Sequence, residues 1–137
     1  MTNDTAVTGT PRQLLRLEGL AMLVLAIAAY AALGASWGWF AALFLVPDLS
    51  LLGYLAGPRV GAWIYNAGHS LIGPALLAAF APALAVIWLA HIGFDRALGY
   101  GLKYSSAFTA THLGNVGRQR TSMPVRSSTA TITARPA

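Results

Sequence analysis

His91 and Asp95 stand four residues apart in "HIGFDRALGYGLKY" (91–104), immediately after "PALLAAFAPALAVIWLA", a run without a charged residue. On a helix that spacing puts both side chains on one face. An imidazole beside a carboxylate is either a metal ligand with its neighbour or a base with the group that orients it. Asn66 and His69, three apart in "YNAGH", share a face in the same way. Asp48 follows Pro47, and Glu18 lies within the first apolar run. Three of the four acidic residues, Glu18, Asp48 and Asp95, thus fall inside apolar stretches. An ionisable group in lipid is costly, faces the interior of a helix bundle as a rule, and marks a functional site by default.

Asp48, His69, His91 and Asp95 together offer the nitrogen and oxygen ligands that a divalent ion of the zinc class takes. Glu18 would then serve as acid or base. Asn66, Arg96, Tyr100 and Lys103 would meet the substrate or an anionic headgroup. Each residue also has a plainer role. His91 and Asp95 can be a helix-end pair, Asp48 a local cap at a kink, Glu18 an interfacial partner of Arg16, and His69 and Asn66 interhelical hydrogen-bond partners worth ~0.6 kcal/mol on average in a membrane. His112, in "THLGNVGR", reads as a loop residue that could fold back over the site. No H-E-x-x-H spacing, glycine-rich phosphate loop or nucleophile elbow is present, and the absence of cysteine excludes thiolate chemistry and disulfides.

The chain has 137 residues, 56% hydrophobic and 9% charged, with a positive mean hydropathy. Lipid is its expected solvent, not water. Four apolar runs, at about 14–33, 37–56, 59–80 and 82–100, are each long enough to cross a ~30 Å hydrocarbon core as a helix. Arg12 and Arg16 at the start of the first run, with small residues around "ALGAS", also fit a signal peptide, but Glu18 and the later runs favour a span. Short connections at 34–36, 57–58 and 81–82 make neighbouring helices antiparallel. The expected fold is therefore an all-α, four-span antiparallel transmembrane bundle over 12–104. A loose N-terminal tail (1–11) precedes it, and a basic C-terminal tail (105–137), disordered after about 115, follows.

All nine lysines and arginines flank the start of the first run, the turn at Arg59, or the end of the fourth run and the tail; the other two hairpins carry none. Positive residues collect on the cytoplasmic side. Both termini should therefore be cytoplasmic, in a bacterial inner membrane. The net charge of +5 reads as juxtamembrane anchoring to anionic headgroups and not as nucleic-acid binding, since no base-reading module is recognisable. Counted from the cytoplasmic ends, the polar residues lie roughly 6 to 16 Å deep, one layer shared by four helices.

"FLVPDLSLLGYLAGPRVGAWIYNAGHS" and "WLAHIGFDRALGYGLKYSSAFTATHLG" resemble a bacterial integral-membrane family known as domain of unknown function 4260, over about residues 14–118. The resemblance implies a small multi-span membrane protein and no assigned activity. Asp48, Tyr65, Asn66, His69, His91, Asp95, Arg96, Tyr100, Lys103, Tyr104 and His112 match its polar motifs. "VPDLS" with a later "GHS" also resembles membrane-bound metal-dependent hydrolases, although Ser50 stands where those carry a second aspartate. Three functions are open to such a chain. One is metal-dependent hydrolysis of a lipid or headgroup substrate. Another is a small proton-coupled cation or multidrug transporter, which would work as a homodimer. The last is a structural or partner-binding subunit.

Overall fold

The computed structural model describes residues 6–116; the first five residues and the stretch 117–137, where most of the expected basic tail falls, lie outside it. The described chain is mostly helical. It contains α1 (Gly9–Ala32), α2 (Trp37–Leu43), a 3-10 segment (Val46–Ala56), α3 (Pro58–His69), α4 (Ile72–Leu77), α5 (Pro82–Leu98) and a small antiparallel hairpin, β1 (Ala110–Thr111) with β2 (Gly114–Asn115). Two stretches, Gly9–Ala32 and Trp37–Ala56, are long and apolar enough to cross a membrane.

α1 begins at Gly9, inside the stretch expected to be a loose tail. Pro11 suits a first turn, where no amide partner is needed, and the Val7 N–H is tied to the His112 carbonyl at 2.8 Å. Proline also shapes the two interrupted runs. Pro47 cannot donate to the carbonyl one turn back and its ring crowds that turn, so α2 stops at Leu43 and the chain continues as an 11-residue 3-10 segment. Runs of 3-10 helix beyond three or four residues are uncommon and mark strain or function. Pro74 acts likewise on the 59–80 run: α3 ends at His69, Ser70 is extended, and a short α4 resumes at Ile72. α5 is regular for 17 residues and ends on Gly99 in the left-handed region (φ 94°), with the Tyr100 N–H returning to the Asp95 carbonyl.

α1 packs along α5, and α3 along the 3-10 segment. Gly19 and Gly93 let the first pair touch backbone to backbone: a Cβ at Gly93 would stand 2.7 Å from the Leu23 nitrogen, and one at Gly19 2.7 Å from the Ala97 nitrogen. In the second pair Gly61 receives the Tyr54 ring, and a Cβ at Gly53 would meet Ile64 at 3.0 Å. Small residues that let backbones approach are what holds helices together in lipid, where burial of apolar side chains offers no advantage.

The distribution of side chains follows the same logic. Leu55 and Phe80 are 88% exposed and Trp63 80%, whereas His69, His91, Lys103 and Thr111 are buried. Large apolar side chains exposed in this number fit the two stretches that could cross a membrane, while Tyr30, Ile87, Ile92 and Leu113 keep the interior mostly apolar. Arg16 donates from Nε to the Ala97 carbonyl at 2.9 Å, so the start of α1 and the end of α5 share one end of the molecule. Arg12 reaches Gly99 and Gly114 there, and Arg59 and Ser105 line one pocket.

Candidate metal centre

Four side chains from three segments converge. The 3-10 turn after Pro47 carries Asp48, the last turn of α3 carries His69, and one face of α5 carries His91 and Asp95. His69 Nε2 lies 3.2 Å from His91 Nε2, 3.3 Å from Asp95 Oδ2 and 3.5 Å from Asp48 Oδ1. His91 Nε2 lies 3.5 Å from Asp48 Oδ1 and 3.8 Å from Asp95 Oδ2. One ligand atom from each residue falls within 4.8 Å of all the others.

Hydrogen bonding alone accounts poorly for these contacts. Each proton serves one donor and one acceptor along a line, and two imidazole nitrogens facing each other at 3.2 Å cannot both carry one without clashing. The His69 Nδ1–H donates to the Tyr65 carbonyl at 2.9 Å, so that in the neutral imidazole the Nε2 lone pair faces the cluster. A tetrahedral ion with bonds of about 2.0–2.2 Å has ligand–ligand edges of roughly 3.3–3.6 Å. Five of the six edges span 3.2 to 3.8 Å, and the sixth, between Asp48 and Asp95, lies within 4.8 Å. Charge agrees as well, since two carboxylates, two neutral imidazoles and a divalent cation sum to zero, the cheapest state away from water.

The surrounding shell restrains three of the four ligands. Tyr65 stacks on the His69 ring (centroids 3.8 Å apart, planes at 13°) and donates its hydroxyl to Asp95 Oδ2 at 3.3 Å. Tyr65, one of the residues that the family resemblance singled out, is one turn before His69 on α3, in the i,i+4 relation. Phe44 packs its ring against both His91 and Phe94. Ser50 Oγ lies 3.5 Å from His69 Nδ1. Asp48 is the loosest member, with 40% of its side chain exposed against 13% for Asp95.

The segment after α5 folds back over this centre. Asn66 anchors it with both halves of its amide: Nδ2 donates to the Lys103 carbonyl at 2.8 Å, and Oδ1 accepts the Lys103 N–H at 2.7 Å. The Lys103 ammonium sits 3.4 Å over the Phe108 ring, 4.6 Å over Tyr65 and 5.4 Å over Tyr54. Burial lowers its pKa, and the charges of Asp95 and Asp48 oppose that shift. His112 accepts the Leu102 N–H on Nδ1 at 2.9 Å, so it does fold toward the site end of α5.

The expected residues are therefore placed unequally. Asp48, His69, His91 and Asp95 meet. Arg96 and Tyr100 border a cavity of about 10 Å³ beside His69 and Asp95. Asn66 and Lys103 are engaged with each other through two hydrogen bonds, and the Lys103 ammonium with aromatic rings. Glu18 is exposed on α1, its charge felt by Arg96, and it is not among the four clustered side chains.

Fold and site together define a small, predominantly helical protein that gathers two histidines and two aspartates under a folded-back strap. The family described as domain of unknown function (DUF4260) matches residues 12–116, and the chain belongs to that family. No curated protein and no solved structure matches it.

Proposed function

We propose that this chain is a four-span protein of the bacterial inner membrane, termini cytoplasmic, that holds one zinc-class divalent ion at Asp48, His69, His91 and Asp95. Its activity is metal-assisted hydrolysis of a lipid or headgroup-bearing substrate. The carrying observation is the set of five ligand-to-ligand distances between 3.2 and 3.8 Å. Four spans follow if α3 with α4, and α5, cross beside the two longer stretches. The basic residues gathered at one end then mark the cytoplasmic face.

A divalent ion in such a site supplies Lewis acidity and lowers the pKa of a water ligand to about 7. The chain's own residues would do the rest. Asp48, half-exposed on an irregular turn, is the ligand that can yield its place. Tyr65 keeps Asp95 and His69 fixed while it does so. The cavity beside Asp95, at about 10 Å³, is at the lower limit for one water molecule. Arg96 at its edge would attract an anionic headgroup.

One observation favours a second reading. All four corners of the tetrahedron are protein atoms, which is the habit of structural zinc sites. Transport by proton exchange at Glu18 or Asp48 has less support at Glu18, whose carboxylate stands apart from the cluster, than at Asp48, which belongs to it. Elemental analysis of the purified full chain, followed by ester and amide hydrolysis assays on the metal-loaded protein, separates these readings. Hydrolysis predicts about one ion per chain and turnover that vanishes with the ion in His91→Ala. A structural ion predicts the same metal content, no turnover and a collapse of stability when it is removed. Wild-type protein that takes up no divalent ion sinks both.

A further inference from the structure

A crevice of about 460 Å³ runs between the 3-10 segment with the end of α2 on one side and α4 with α5 on the other. Leu43, Val46, Leu77, Leu84, Ile87 and Trp88 form most of its wall, and Ser50 brings the one hydroxyl along it. Its inner end is built on the backbone of the metal centre. Pro47 precedes Asp48, Gly68 precedes His69, and Ile87 lies one turn before His91; all three line the crevice. Ser50, at this end, is 3.5 Å from His69 Nδ1. The wall is held in place: Trp88 Nε1–H donates to the Gly68 carbonyl at 2.6 Å, and the indole fills the space a side chain on Gly73 would need.

We infer that this crevice holds the hydrocarbon chain of the substrate, so that the centre acts on an acyl ester or amide whose carbonyl reaches the ligands while its single chain lies between α5 and the 3-10 segment. The inference rests on the metal reading above. Leu84 to His91 is seven residues of helix, roughly 10 Å along the axis, which suits a chain of medium length. Direction agrees with depth, because the crevice leads from the centre toward the α4–α5 hairpin, away from the basic end, as an acyl chain runs away from its headgroup. Water would add to the carbonyl carbon, the bond to the alcohol oxygen or amine nitrogen would break, and the leaving group would take up the proton. The products are a carboxylic acid and the headgroup alcohol or amine.

The test uses the zinc-loaded full chain in amphipol, free of competing lipid, and a series of alkyl hydroxamates, whose head chelates a divalent ion. Affinity should rise at least about 100-fold from acetohydroxamate to decanohydroxamate, because each buried methylene strengthens binding. Leu84→Trp, which plugs the far end, should cut that ratio at least about tenfold, and Leu77→Trp from the opposite wall should do the same if the first variant does not fold. An unchanged ratio in a zinc-bearing, folded variant overturns the acyl-chain inference and leaves the metal centre standing. Protein that takes up no zinc overturns both.

Discussion

The two halves of the molecule deliver the same number of ligands by different means. α5, clamped to α1 through Gly19 and Gly93, is regular and presents His91 and Asp95 from one face by helical period alone. The other half is broken twice by proline. It brings Asp48 on a 3-10 turn and His69 at the last residue of α3. A regular helix fixes a pair of ligands cheaply but only along its own axis. A second pair facing it from another direction needs backbone that departs from regularity, and lipid tolerates that only where protein or a polar cavity surrounds it.

The contrast predicts graded effects. The largest belongs to the buried histidines: His91→Ala or His69→Ala should reduce metal content from about one ion per chain to a trace, read by elemental analysis, whereas half-exposed Asp48→Asn should retain the ion with weakened affinity. Next comes the irregular half. Pro47→Ala lets α2 continue into the 3-10 segment and turns Asp48 away, so metal affinity should fall roughly 10- to 100-fold with a gain in helical circular dichroism. Retention of full affinity would show that the break is not what aims Asp48.

In the regular half, Gly93→Val forces a side chain into the α1 backbone and should cost about 1–3 kcal/mol in unfolding measurements. Tyr65→Phe keeps the stack on His69 and deletes one bond to Asp95, so affinity should drop about tenfold without loss of fold.

The smallest effect is a pH response of the strap. Burial, joined by the Arg96 charge, holds the His112 pKa below its ordinary value of 6.5. A depressed histidine pKa means that the unfolded chain binds more protons, so the contribution to stability is complete above pH 6.5 and is lost as pH falls through the folded value. Hydrogen exchange at Leu102 should accelerate at pH 5 relative to pH 7.5, and His112→Gln should flatten that difference.

The period-four pair on α5 was legible in the sequence because helical geometry alone relates its members, whereas the layer expected to include Glu18 gathers without it. Pro47 and the Gly73–Pro74 pair signalled interruption, but not what replaced the helix: a long 3-10 segment in one place and a clean break after His69 in the other. Propensity does not decide between those outcomes; packing against α3 and α5 does. The strap was the least legible part. "KYSSAFTATHLGN" has no apolar period and read as the start of a tail, yet Asn66 holds its backbone and three aromatic rings enclose Lys103. The Asn66–Lys103 bonds join residues 37 positions apart and leave no local trace.

X-ray absorption at the zinc edge of the full-length, zinc-loaded protein tests the metal centre most directly. The expected spectrum has four nitrogen or oxygen neighbours at about 2.0–2.2 Å with the outer-shell scattering of two imidazoles, and it loses one imidazole in His69→Ala. Six-fold oxygen coordination without imidazole scattering, or zinc that binds equally well to the His69→Ala, His91→Ala double variant, would contradict it.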